Sequence, residues 1–194
     1  MVLALLAIAC TTGRASADEL EQLVEVLQLQ PGSTVADVGA GEGDWAVNLA
    51  EVVGDEGHVW ATEVELDDVE DIEGRIPVAL ADNVTVVLGN QSDTGLPENC
   101  CDAILLRMVY HHFTKPAEMR ASLRRALRPD GLIAVIDITP QGAWRDLPEV
   151  PDRGGHGIPH GDLIREMTSE GFEVVLREDD WNGDDDRFCV VFRR

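Results

Sequence analysis

Apolar residues recur along this chain with two periods, one typical of amphipathic helices and one typical of buried strands. Near the N-terminus, Leu20, Leu23 and Leu27 are spaced as on one face of a helix, and Pro31 ends that helix before the first apolar run. From there, short apolar runs alternate with amphipathic stretches almost to the C-terminus. The pattern predicts strands and helices that are interleaved along the chain.

The predicted strands are short and apolar throughout, and they cover residues 34–38, 58–63, 84–89, 103–109, 132–138, 172–177 and 187–192. The helices predicted between them cover residues 44–53, 66–73, 116–127 and 161–170. Such strands indicate a parallel sheet covered on both faces, whereas the last two, joined without a helix, predict an antiparallel closing hairpin. The expected fold class is α/β, a single doubly wound domain with a seven-stranded, mostly parallel sheet.

The length and net charge of the chain restrict its domain organisation and the kind of partner it can bind. The 194 residues, 44% of them hydrophobic, fit one globular domain. Asp and Glu number 37 against 15 Lys and Arg, which gives a formal charge of -22. Because such a surface repels phosphate backbones, nucleic acid is disfavoured as a partner and a small molecule is favoured as substrate.

The first seventeen residues look different from the rest. An apolar run at 3–9 and the triplet Ala15-Ser16-Ala17 before Asp18 resemble the core and cleavage site of a secretory signal, although no Lys or Arg precedes the run. The run is too short to span a bilayer. We therefore predict a signal-like leader at 1–17 and a domain at 18–194. The location is exported or periplasmic if the leader is a signal, and cytoplasmic otherwise.

Cysteine and histidine spacings do not predict a metal centre. The chain has no C-x-x-C pair, and Cys100 and Cys101 are neighbours, which is a poor geometry for a disulfide. His156 and His160 are four residues apart, but Pro159 argues against a helix that would carry both as ligands. No third ligand is evident beside that pair, so no metal site is expected.

A glycine-rich turn follows the first predicted strand. Asp37 begins the segment, and Gly39, Gly41 and Gly43 occupy the turn into the next helix, where glycine allows the backbone to approach a ligand closely. Glu63 ends the next strand, where a carboxylate can accept both hydroxyl hydrogens of a ribose. The two features together predict a nucleoside site.

The charges in this segment select among nucleosides. Asp44 stands where a dinucleotide fingerprint needs a small residue, and its carboxylate would oppose a pyrophosphate. S-adenosylmethionine (SAM) has no phosphate and carries a sulfonium and an ammonium group. It therefore suits a pocket that contains Asp37 and Glu63.

The D-x-G-x-G-x-G segment at 37–43, the acid Glu63 and the run at 102–105 resemble class I SAM-dependent methyltransferases, from about residue 19 to the C-terminus. The resemblance implies SAM as cofactor, with Asp37 and the three glycines beside its methionyl part and Glu63 on its ribose. It places Asn90 beside adenine, where an Asp is often found; an amide can still pair with adenine N6.

The run from 107 to 113 follows the fourth predicted strand, and the run from 152 to 157 lies in the long loop after the fifth; both are expected to overhang the cofactor. Arg107 is a predicted cofactor contact, and Tyr110, His111 and His112 are candidate catalytic residues. One interpretation makes a histidine the general base for a hydroxyl or amine acceptor. The other is that one histidine caps the next helix while its neighbour packs beside the cofactor.

Two charged residues further along the chain leave open alternatives. Asp137, at the end of the fifth predicted strand, is either a site residue or a cap. Arg153, in the long loop at 139–160, either holds an acidic substrate or pairs with one of the many carboxylates.

Methyl transfer to a small molecule with an oxygen, nitrogen or sulfur acceptor is the predicted reaction, with the oligomeric state open. Such an in-line displacement needs collinear positioning and no covalent nucleophile. One alternative is a noncatalytic SAM-binding or sensor protein. A nicotinamide-dependent oxidoreductase is less favoured, because the G-x-G-x-x-G spacing and a Tyr-x-x-x-Lys pair are missing.

Overall fold

The computed structural model describes residues 17–142 and 149–194, so most of the predicted leader lies outside the described residues. The helices are α1 Ala17–Val26, α2 Asp44–Val53, α3 Leu66–Arg75, α4 Pro116–Ala126 and α5 His160–Ser169. The strands are β1 Thr34–Val38, β2 His58–Glu63, β3 Val84–Leu88, β4 Cys101–Arg107, β5 Leu127–Ile138, β6 Glu173–Glu178 and β7 Arg187–Arg193. Short 3₁₀ turns lie at Val78–Leu80 and Tyr110–His112.

The strands form one seven-stranded sheet in the order β3-β2-β1-β4-β5-β7-β6. The pairs among β1 to β5 are parallel, whereas β7 is antiparallel to both β5 and β6. The α/β fold class and the closing hairpin are therefore confirmed. The chain order reverses between β1 and β4, and in sheets of this kind ligands bind beyond the strand ends at such a reversal.

Hydrophobic clusters cover both faces of the sheet. One contains apolar residues of α1, α2 and α3, with Leu49 fully buried, and the other contains residues of α4 and α5, with Leu123 fully buried. Successive residues of β1 alternate between them, so Val35 joins the first cluster and Ala36 the second. Burial on both faces explains why the central strands read as continuous apolar runs.

The largest difference from the predicted boundaries is in β5. The strand begins at Leu127, five residues before the predicted start, because Leu127 already pairs with Cys101. The register shifts before Ala103 pairs with Leu132, and Asp130 adopts a positive φ of 64° within this irregularity. Pro129, Asp130 and Gly131, which lie between the predicted helix and the predicted strand, are thus part of β5. Within the described ranges, no helix is long and apolar enough to cross a membrane.

Candidate active site

The site is a crevice beyond the carboxyl ends of β1 to β4, formed by two hollows that share Gly39. The turn after β1 requires glycine at its first position, because Gly39 has a φ of 73° and a Cβ there would lie 2.4 Å from Cγ2 of Val109. Gly43 has a φ of 82° and precedes α2 as its N-cap. The close approach of the turn to Val109 brings the segments after β1 and β4 together around one crevice.

Glu63 is positioned by backbone donors on both sides. Its Oε1 accepts a hydrogen bond from the Gly41 N–H at 2.7 Å, and its Oε2 accepts one from Val64 at 3.2 Å. Each carboxylate oxygen can accept a further hydrogen bond. The glycine turn and the predicted ribose acceptor are thus joined directly, and Glu63 lines the crevice.

Asn90 also lines the crevice, but its amide oxygen is already engaged. Oδ1 accepts hydrogen bonds from the backbone N–H and the hydroxyl of Ser92, both at 2.9 Å. The NH2 group of Asn90 can only donate, and adenine N6 is itself a donor. A contact between Asn90 and adenine would therefore use a ring nitrogen of the base instead of the N6 group expected from the sequence.

Asp37 is the most unusual carboxylate of the crevice. It is 2% exposed, and its Oδ2 is buried without a hydrogen-bond partner in the described part of the chain. Burial, and secondly the charge of Glu63, raise the pKa of Asp37 to about 7, while Arg107 opposes this shift. A cationic ligand beside Oδ2 would compensate the buried charge. With Asp44 at the start of α2, the same wall does not suit a pyrophosphate.

Arg107 lies in the crevice wall next to the glycine turn, as expected, but its charge has a protein partner. Its Nε and one terminal nitrogen donate to the two oxygens of Glu19, at 3.0 and 3.1 Å, and the guanidinium lies 5.0 Å from the Trp45 ring centre. Glu19 is 3% exposed and also accepts from the Trp181 indole N–H at 3.2 Å. Sequence reasoning missed Glu19, since an acid in the first turn of a helix is usually solvated.

Three histidines meet beside the crevice. His111 is buried, with Nδ1 2.6 Å from Oδ1 of Asp137, and its Nε2 lies 2.9 Å from Nε2 of His156. The ring centre of His112 is 4.1 Å from that of His111. Asp137 is fully buried and also accepts the His111 and Ile138 backbone N–H groups. Asp137 is therefore a positioning residue of this cluster.

His112 is the member of the cluster that lines the crevice. Burial, and then the neighbouring His111 and His156, lower the pKa of His112 to about 4. The imidazole is neutral near pH 7 and can accept a hydrogen bond. The 3₁₀ turn thus presents one histidine to the crevice and holds its neighbour against Asp137.

His156 lies outside the helix that begins at His160, as the proline between them predicted. His160 begins α5, 3.2 Å from Arg177 and edge-on to the ring of Phe188, while His156 contacts His111. The cluster joins positions 45 residues apart, so no local spacing could reveal it. Three histidines in contact also remove the reason for expecting no metal site, which was the lack of a third ligand.

Tyr110 occupies a different environment from the two histidines beside it. Its side chain is fully buried, and its hydroxyl donates to Glu166 at 2.9 Å and accepts from Arg120 at 3.2 Å. Arg153 pairs with the same Glu166 at 2.6 Å and is itself nearly buried, so it has the carboxylate partner of the second alternative. These contacts tie α4, α5 and the loop before α5 together, and they give Tyr110 a structural position.

The sheet order and the crevice define an α/β domain suited to a nucleoside that carries positive charge. The family model described as methyltransferase domain matches residues 35–131, half of the chain. The chain belongs to this family, and the resemblance to class I SAM-dependent methyltransferases is confirmed.

Individual relatives agree with this assignment. Demethylmenaquinone methyltransferase of Listeria welshimeri is 26% identical over 117 residues, 60% of this chain and 50% of that protein. Protein-L-isoaspartate O-methyltransferase of Pyrococcus horikoshii is 31% identical over 159 residues, 82% of this chain and 66% of the relative. The crystal structure of a SAM-dependent methyltransferase from Aquifex aeolicus has a TM-score of 0.73 at 23% identity, covering 90% of this chain and 88% of that one, a likeness of fold. This chain spans about half the length of the Listeria relative.

Proposed function

We propose that this protein transfers the methyl group of SAM to a small-molecule acceptor. The observation that carries the proposal is Asp37, whose buried Oδ2 lacks a hydrogen-bond partner among the described residues and which lies beside the glycine turn. The sulfonium and ammonium groups of SAM are the kind of charge that would stabilise this carboxylate. Glu63 would hold the ribose and Asn90 the adenine.

The proposed reaction depends on the positioning of its two substrates and needs no covalent intermediate with the enzyme. When bound, SAM supplies an electrophilic methyl carbon on a positively charged sulfur. The crevice would hold the acceptor in line with that carbon and keep water away, effects that together contribute several kcal/mol to such displacements. Because His112 lines the crevice and His111 is fixed behind it by Asp137, we place the acceptor next to His112.

The proposed acceptor class is supported by the charge of the chain and by one of the two relatives. A net charge of -22 opposes nucleic acid. The Listeria relative is named for demethylmenaquinone, a small molecule, which supports an acceptor of that general class here. Oxygen, nitrogen and sulfur acceptors all remain within the proposal.

Ligand binding and turnover test the two parts of the proposal. S-adenosylhomocysteine is expected to raise the melting temperature in a concentration-dependent way, while NAD leaves it unchanged. Release of S-adenosylhomocysteine from SAM across a panel of hydroxyl, amine and thiol acceptors then tests transfer. Stabilisation by NAD alone would overturn the assignment.

A second candidate function is SAM binding without turnover. The signal-like pattern at 1–17 favours it, because an exported protein would leave the compartment in which SAM is made. Mass spectrometry of the protein purified from its host would read its mature N-terminus and any nucleoside that co-purifies. A processed N-terminus with bound nucleoside and no transfer to any acceptor would support the binding function.

A further inference from the structure

The histidine cluster, His111, His112 and His156, has the composition of a metal site. Each residue offers one ring nitrogen, and these nitrogens all lie within 4.8 Å of one another. His111 and His112 come from the 3₁₀ turn after β4, and His156 comes from the loop before α5. Residues from two separate segments thus converge at one point beside the crevice.

The contact between Asp137 and His111 is the arrangement that orients a metal-binding imidazole. Asp137 Oδ1 lies 2.6 Å from Nδ1, so Nδ1–H donates to the carboxylate and Nε2 keeps its lone pair. That Nε2 is the nitrogen that faces His156. A buried carboxylate therefore fixes the tautomer of His111 that can bind an ion.

The loop that carries His156 is held in place at His156 itself and at Arg153. The backbone N–H and C=O groups of His156 pair with those of Gln141, both at 3.0 Å. Three residues earlier, Arg153 is anchored to Glu166. His156 is consequently presented to the cluster by an ordered backbone, which lowers the entropic cost of gathering the ligands.

The distances require only a small adjustment. Zn–N bonds of about 2.0–2.1 Å in tetrahedral geometry separate two ligand nitrogens by about 3.3 Å. The Nε2 atoms of His111 and His156 are 2.9 Å apart and would move slightly apart, while the widest separation in the cluster would close. Side-chain rotation of the partly exposed His156 and of the exposed His112 can accommodate these changes.

We infer that His111, His112 and His156 bind a divalent transition-metal ion of the zinc type, with Asp137 as the residue that orients His111. Imidazole nitrogens suit Zn²⁺ or Co²⁺ and do not suit Mg²⁺ or Ca²⁺, which prefer oxygen. Since His112 lines the crevice, the coordination position not filled by histidine would adjoin it. The ion would then bind the oxygen or sulfur atom of a methyl acceptor. This role of the ion rests on the proposed function, whereas the ion site itself does not.

Cobalt provides the probe, because Co²⁺ absorbs visible light with an intensity that reports tetrahedral coordination. The full chain, stripped with a chelator, is titrated with Co²⁺ in excess Mg²⁺, which occupies surface carboxylates. We expect saturable tetrahedral absorption that Zn²⁺ abolishes by displacement. Absorption of octahedral type only, or none, would overturn the inference.

Variants locate the ion. His156→Ala, on a partly exposed loop position, should weaken Co²⁺ binding at least about 100-fold, and Asp137→Asn should weaken it about 10- to 100-fold. His160→Ala, a histidine outside the cluster, is the matched control and should bind Co²⁺ as the unaltered protein does. Equal binding by His156→Ala and His160→Ala would refute the site, and circular dichroism would show that each variant is folded.

S-adenosylhomocysteine affinity, measured by calorimetry on the same samples, separates this inference from the proposed function. If the unaltered protein did not bind Co²⁺ but bound S-adenosylhomocysteine, the metal site alone would be refuted. Normal Co²⁺ binding without nucleoside affinity would refute the proposed function and leave the ion site standing.

Discussion

The two sides of the crevice each contain a buried carboxylate, and these differ in their hydrogen-bond partners. On the nucleoside side, formed by the ends of β1 and β2, Asp37 has an oxygen without a hydrogen-bond partner in the described structure. On the histidine side, formed by the segments after β4 and β5, Asp137 is equally buried, but both oxygens accept hydrogen bonds from protein. Asp37 thus has an oxygen available to a ligand, whereas the hydrogen bonds of Asp137 all come from the chain itself. Substitution of Asp37 should therefore act mainly on ligand affinity, and substitution of Asp137 mainly on stability.

Asp137→Ala should have the largest effect, and it should appear in stability. The change leaves the Nδ1–H and backbone N–H of His111 and the N–H of Ile138 buried without an acceptor, which costs about 3 kcal/mol or more in the free energy of unfolding. Urea unfolding at neutral pH measures it. Asp71→Ala, at an exposed position of α3, is the control and should change stability by less than about 0.5 kcal/mol. A similar small loss of stability for both variants would show that the hydrogen bonds of Asp137 do not stabilise the fold.

His112→Ala should act on turnover rather than on cofactor binding. The side chain lines the crevice next to the proposed acceptor, so we expect about a 100-fold lower kcat with S-adenosylhomocysteine affinity nearly unchanged. Initial rates and calorimetry on the same preparation provide both values, with His160→Ala as the unaffected control. Equal losses in rate and affinity would identify His112 as a packing residue instead.

The two sides also differ in how far sequence could predict them. Asp37, Gly39 and Glu63 lie close together in the chain, at the ends of adjacent parallel strands, so their spacing alone placed them around one crevice. The mostly parallel sheet and the antiparallel closing hairpin followed from the apolar runs and the connections between them, whereas the order of the strands in the sheet was not predicted. Local sequence patterns are sufficient to predict a site whose residues lie on consecutive strands and the turns that follow them.

The histidine side depends on contacts that no local pattern encodes. His156 meets His111 across 45 residues, and Glu19 reaches Arg107 across 88. The orienting role of Asp137 depends on the register of β5 beside β4, which a sequence motif does not specify. The sequence indicated that the segments carrying His111 and His156 both lie near the cofactor, but it gave no reason to pair these two histidines.

Glu63→Ala tests the nucleoside side. Loss of a charged acceptor for two ribose hydroxyls should weaken cofactor binding by about 2 kcal/mol, or about 30-fold, as measured by calorimetry. Glu63→Gln, which keeps an acceptor oxygen for the Gly41 N–H, should lose less. Glu65→Ala, at an exposed position before α3, is the control. Unchanged affinity in Glu63→Ala would place the ribose elsewhere.

The smallest expected effect is a pH dependence of SAM affinity that comes from Asp37. Its pKa is raised from 3.8 to about 7 in the folded protein, so its contribution to stability is fully present below pH 3.8 and is lost as the pH rises through about 7. Stability of the free protein thus falls in the range where the ionised carboxylate becomes available to a cation.

Binding of SAM should follow the opposite trend, because the cation stabilises ionised Asp37 and competes with its proton. We expect affinity to fall by up to about tenfold from pH 8 to pH 6, with proton release on binding near pH 6 that calorimetry detects in buffers of different ionisation enthalpy. Asp37→Asn should bind more weakly at pH 8 and lose this pH dependence. If the variant kept the full pH dependence, the titrating group would be a residue other than Asp37. The unpaired oxygen of Asp37 would then not be the atom that meets the cation of SAM.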